Sequence, residues 1–198
     1  VNYHAVKEVA RRLDNAGYKY LSAEEKLGEV KAGDKFYVKK NDSSIYAFQI
    51  GKQTLGEAGF HIICAHSDSP TFRIKPNAEM TCERGMTKLN TEVYGGPIMS
   101  TWFDRPLSIA GRVIIKTDDV MHPETRLLKV ERPVLLIPNL AIHFNRQVND
   151  GVKLSKQKDM LPIIGIVNDE LEKGNMLMNL ICSELGVQKS DILDFDLY

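Results

Sequence analysis

The segment Phe60-His61-Ile62-Ile63-Cys64-Ala65 constrains this chain more than any other: an apolar run that ends abruptly at His66-Ser67-Asp68-Ser69-Pro70. A short continuous run of this kind, closed by turn residues, reads as a buried strand, and a buried strand requires a covered sheet around it. Sheets of α/β proteins carry their chemistry just beyond the C-terminal ends of the strands, which is where His66 and Asp68 stand. Residues i and i+2 of an extended segment point to the same side, so the imidazole and the carboxylate can share one cavity. That is the layout of a metal ligand with its orienting acid, because a metal-bound imidazole commonly has its other N–H held by a carboxylate or carbonyl. The pair alone is not specific. A histidine at a strand end that is simply hydrogen-bonded has the same local sequence, and both readings stand at this point.

Composition excludes several function classes. Lys and Arg number 26 against 26 Asp and Glu, so the chain lacks the basic balance that phosphate neutralisation demands, and no nucleic-acid partner is expected. No run approaches the apolar length of a transmembrane helix, and the N-terminus lacks the apolar core of a signal peptide. Cys64, Cys82 and Cys182 are odd in number and unpaired in spacing, which indicates neither a disulfide framework nor a zinc knuckle. Reduced thiols and a cytoplasmic location are the expectation, with no membrane partner. With 198 residues, 43% of them hydrophobic, one or two domains with a sizeable core are feasible.

Along the chain, Val6, Val9, Ala10, Leu13 and Ala16 recur at helical spacing and Gly17 stops the helix. Ser22 and Glu25 have capping-box spacing but little apolar periodicity after them, which predicts no more than a turn. Phe36-Tyr37-Val38 and residues 45–50 are strand-forming, and Lys40-Asn41-Asp42-Ser43-Ser44 between them predicts a hairpin. Residues 51–59 read as a loop. Phe72 and Ile74 alternate with Arg73 and Lys75 in a half-exposed strand expected to end at Pro76. From Asn77 the pattern is β-rich, with strand-like runs over 107–116, 127–130 and 134–137. Asp169, Glu170 and Glu172 lie in a polar stretch that reads as a solvated helix. Met176, Leu177, Leu180, Ile181 and Leu185 return to helical spacing and stop at Gly186, and residues 192–198 read as a strand that re-enters the first domain.

Read as a block, Ala65-His66-Ser67-Asp68-Ser69-Pro70 with Phe72-Arg73-Ile74-Lys75 resembles the first metal-site segment of the aspartyl aminopeptidase family, which includes the vacuolar aminopeptidase I enzymes. Further blocks follow in the family's order: Tyr94-Gly95-Gly96, then Ser100-Thr101-Trp102-Phe103-Asp104-Arg105 with Ala110-Gly111-Arg112-Val113, then Glu131-Arg132-Pro133 and Ile137-Pro138-Asn139-Leu140-Ala141-Ile142-His143. The resemblance runs from His4 to Leu197. Pro97 and Pro106 depart from it, standing where the family more often has glycine and an acidic residue.

The resemblance implies an α/β fold: the N-terminal part of a Zn-peptidase-like α/β catalytic domain over residues 1–76, an inserted β-rich dimerisation domain over 77–186, and a strand returning to the catalytic domain over 187–198. It implies a metal-dependent aminopeptidase that removes one N-terminal residue, often an acidic one, from a peptide substrate. The cofactor implied is a divalent metal, typically zinc, two per complete site. His66 would ligate one metal and Asp68 would orient it, and the site would be incomplete in this chain. The bridging aspartate, the paired glutamates, the later aspartate and the last histidine of such a centre have no counterpart here, so the chain alone is expected to be inactive. The family also implies a homo-oligomer, dimers building a dodecamer, in which His143 reaches a neighbouring subunit's site to contact substrate. From local sequence, His143 reads instead as a satisfied core histidine.

Two rivals remain at this level: a non-catalytic oligomerisation module of the same fold, and a related two-metal aminopeptidase or deacylase. Trp102-Phe103-Asp104-Arg105 reads as part of a core or subunit contact, since adjacent aromatics bury large areas. Gly95-Gly96 reads as a tight turn without the lysine and hydroxyl of a phosphate loop. No Gly-x-Ser-x-Gly elbow supports Ser67 or Ser69 as a nucleophile.

Overall fold

The N-terminal helix α1, Asn2–Asn15, buries Tyr3 and Val6, and the chain leaves it through Gly17 at φ 80°, the left-handed stop that only glycine adopts without cost. This is a computed structural model, and it describes residues 1–22, 24–82, 85–166 and 174–198. The chain divides into two units, Val1–Ser69 and Pro70–Tyr198.

In the first unit, β1 (Lys19–Tyr20) lies parallel to β2 (Lys35–Lys40), which pairs antiparallel with β3 (Ser44–Gln49). The expected hairpin forms because Asn41 and Asp42 accept φ values of 51° and 52°, and the Ser43 N–H closes the turn on the Lys40 carbonyl at 3.1 Å. Positive φ at both central positions matches the turn to the strands' right-handed twist. Tyr37 of β2 is 4% exposed, and its hydroxyl donates to Asp14 Oδ1 at 2.8 Å, which ties the sheet to α1. Within 51–59 a single short helix, α2 (Leu55–Ala58), interrupts the expected loop.

The expected strand into His66 is not formed. Residues 60–66 make no ladder, and Phe60, Ile62 and Ile63 are 78%, 76% and 99% exposed. A strand exists only where a neighbour satisfies its N–H and C=O groups, and none of the described residues pairs with this run. The apolar pattern is a strand pattern without a partner.

In the second unit, β4 (Thr71–Thr81) pairs antiparallel with β5 (Met86–Tyr94), which pairs with β8 (Ile163–Ile166). β4 continues through Pro76, where it was expected to end, by a register shift between Ile74 and Glu79. Proline has no N–H for the ladder, and a bulge absorbs the missing bond. A second sheet orders β7 (Glu124–Lys129), β6 (Ala110–Ile115) and β9 (Ile192–Leu197). β9 therefore pairs antiparallel with β6 in the second unit, where the sequence placed it in a return to the first.

Alternation builds the core: Val113 and Ile115 of β6 and Leu89 of β5 turn inward to meet Ile74, Leu128 and Leu197. The helix α3 (Met176–Leu185) covers them with Leu177 and Ile181, at 1% and 0% exposure, and ends at Gly186 in the left-handed region. Complete burial of each such side chain stabilises by about 1.5–3 kcal/mol. A second cluster gathers Phe72, Ile137 and Met160, with Trp102 edge-on to Phe72 at 4.8 Å between ring centres. No helix among the described residues is long and apolar enough to cross a membrane. The solvated helix expected around Asp169, Glu170 and Glu172 lies outside the described residues.

Candidate functional site

Although no strand carries them, His66 and Asp68 face each other. His66 Nδ1 lies 2.7 Å from the Asp68 backbone oxygen and 3.1 Å from Asp68 Oδ1. A carbonyl oxygen only accepts, so Nδ1 carries the proton, and in the neutral ring Nε2 keeps its lone pair. Ser67 has a different partner: its hydroxyl donates to the Ser43 carbonyl at 2.9 Å and moors the motif to the turn that precedes β3. The two side chains thus meet across a bend at Ser67 and not along a strand. The role of Ser67 as an anchor was not visible in sequence, because its acceptor is a backbone atom 24 positions away.

The His66 side chain is 80% exposed and that of Asp68 38%. An open imidazole with its Nδ1–H held by a carboxylate and a carbonyl has the donor chemistry of one zinc ligand. A catalytic zinc takes three protein ligands, and among the described residues no group of three or more His, Cys, Asp or Glu side chains is placed to hold a metal. The donor set fits one arm of a metal centre.

His143 lies in the second unit, in a run of turns where Phe144 N–H donates to the Ala141 carbonyl at 2.9 Å and Asn145 N–H to that of Ile142 at 3.2 Å. It is exposed, as are Leu140, Ile142 and Phe144 at 63%, 50% and 82%, so the local reading of a core histidine does not hold. Trp102 and Phe103 are half-buried against the Phe72 cluster, as their aromatic character suggests. Gly95 takes φ 74°, and a Cβ there would meet Pro70 Cα at 3.4 Å. A separate groove of about 790 Å³ in the second unit is lined by Leu135, Ile164, Met176 and Leu180 together with Asp104 and Arg132. Among the described residues its lining contains no histidine or cysteine.

Residues 1–198 match the family described as aminopeptidase I zinc metalloprotease (M18) from end to end. The chain belongs to the M18 aminopeptidase family. A probable M18 family aminopeptidase 2 of Clostridium acetobutylicum is 54% identical over 196 residues, which cover 99% of this chain and 45% of that protein. Among solved structures, Ape4 in its complex with Nbr1 matches with a TM-score of 0.91 at 34% identity, over 100% of this chain and 40% of that one. The S. cerevisiae mApe1 dodecamer matches with a TM-score of 0.77 at 28% identity, over 100% of this chain and 44% of that one. The mixed α/β fold is that of M18 aminopeptidases. The chain spans less than half the length of these relatives.

Proposed function

We propose that this chain is part of a metal-dependent M18 aminopeptidase that hydrolyses the N-terminal residue, acidic by preference, from peptides at a two-metal centre. The observation that carries the reading is the contact of His66 Nδ1 with both the backbone oxygen and the carboxylate of Asp68, at 2.7 and 3.1 Å, which leaves Nε2 as the nitrogen available to a ligand. His66 would hold one metal through Nε2, and Asp68 would fix the ring's tautomer and orientation. When bound, a pair of zinc ions supplies Lewis-acid polarisation of the scissile carbonyl and lowers the pKa of the attacking water. By family resemblance the remaining ligands and the general base, a glutamate, would be supplied from outside these 198 residues, which by themselves are expected to be inactive.

Residues 77–186 are proposed as a dimerisation domain of a homo-oligomer. Support comes from the exposed apolar side chains around His143, since a projecting loop with Leu140, Ile142 and Phe144 at its surface gains by being covered. In the assembly, His143 would contact substrate in a neighbouring subunit's site. The test is turnover of the p-nitroanilides of aspartate, glutamate and leucine by the longer protein, before and after chelation. Activity favouring the acidic substrates, lost to chelator and restored by zinc, supports the proposal. Chelator-insensitive turnover, or none with any aminoacyl substrate after zinc loading, overturns it.

A further inference from the structure

Asp104 is one of the few non-glycine residues in the left-handed region, at φ 55°, among otherwise ordinary backbone. Such a conformation persists where surrounding bonds fix it, and it concentrates at functional positions. Two bonds fix Asp104. Its N–H donates to the Ile137 carbonyl at 2.9 Å, and its Oδ1 accepts the Asn139 N–H at 3.0 Å, so the residue clamps the chain on both sides of Pro138. The inner side of the clamp is rigid, since Ile137 is 0% exposed and packs with Phe72 and Met160. On the outer side, Asn139 Oδ1 accepts the Leu140 N–H at 2.9 Å, and the turns at 141–145 that present His143 follow at once.

We infer that Asp104 is a positioning residue for His143: its carboxylate fixes the root of the loop and thereby the direction in which the imidazole is presented. Leu140, Ile142 and Phe144 are exposed, so packing within the unit does not orient that loop. Asp104 is itself exposed and contributes little to the core, which separates its effect on direction from an effect on folding. The inference rests on the reading of His143 as a substrate-contacting group.

The experiment uses the longer M18 protein with Asp104→Gly, which keeps the left-handed backbone and removes the acceptor, and Asp104→Asn, which keeps both. His143→Ala and the Asp104→Gly/His143→Ala double variant complete the cycle. With an aminoacyl p-nitroanilide, kcat/KM is expected to fall about a hundredfold in His143→Ala and about tenfold in Asp104→Gly, because a displacement on the order of an ångström is costly at a substrate contact. The loss divides between kcat and KM in the same proportion in both variants. Asp104→Asn stays within about twofold of wild type, the double variant equals His143→Ala, and the Asn139 amide exchanges faster in Asp104→Gly alone of the two Asp104 variants. Assembly size by light scattering is unaltered. Wild-type kcat/KM in Asp104→Gly alongside an impaired His143→Ala overturns the inference, as do additive losses in the double variant, or an assembly that breaks in Asp104→Gly and not in His143→Ala. Wild-type kinetics in His143→Ala overturns the reading of His143 itself, and the inference with it.

Discussion

The Tyr37 hydroxyl donates to Asp14 Oδ1 at 2.8 Å, a side-chain bond that joins β2 to α1 in the first unit. Burial of the phenol pushes its pKa up to about 12, and the bond to Asp14 and that residue's charge push in the same direction. The folded pKa then lies above the unfolded value of about 10, so the contribution is complete below pH 10 and disappears as pH rises through 12. Thermal stability of the chain is expected to fall across that window. Tyr37→Phe should lower stability by about 1 kcal/mol near neutral pH and flatten the alkaline fall, as read by melting temperature against pH. An alkaline fall of equal size in the variant would show that Tyr37 does not carry it.

Gly111 has no room for a side chain. A Cβ would stand 2.1 Å from the Asp196 carbonyl oxygen and 2.9 Å from Leu197 Cα, backbone atoms of the paired strand β9. Neither can give way without parting β6 from β9 and opening the core around Leu197. Gly111→Ala should destabilise the second unit by about 2 kcal/mol or more, which denaturant titration would register. A midpoint equal to wild type would contradict this register.

Legibility in the sequence followed how local each signal was. The hairpin at Asn41-Asp42, the stops at Gly17 and Gly186 and the α3 periodicity are set by neighbours within a few positions, and all appear as read. β5 was not singled out because Thr87 and Thr91 occupy buried positions either side of Leu89, which blurs an otherwise regular alternation. β9 could be seen as a strand, but its partner β6 is a matter of long-range pairing that periodicity does not encode. At the site, the i, i+2 pairing of His66 and Asp68 was readable, whereas the Ser67 anchor and the left-handed Asp104 depend on distant acceptors and donors.

The run at 60–66 is where pattern and structure part, and it yields its own expectation. In the longer M18 protein the amides of Ile62, Ile63 and Cys64 should exchange slowly, as in a sheet interior, while in the 198-residue chain they should exchange as open backbone. Equal, rapid exchange in both would mean that the apolar pattern does not mark a strand.

Asp68→Asn retains an acceptor for His66 Nδ1 but removes the charge that raises the ligand's basicity. Zinc affinity of the longer protein, or its turnover, should fall by about 10- to 100-fold with the assembly intact. Titration against a competing chelator measures it, and unaltered affinity together with unaltered turnover would remove Asp68 from the site.

The most direct measurement is zinc content of the longer protein, by elemental mass spectrometry, in wild type and in His66→Ala. The account predicts a loss of about one zinc per chain together with loss of turnover, while the far-ultraviolet circular dichroism spectrum stays that of the folded protein. Undiminished zinc and undiminished turnover in His66→Ala would contradict it.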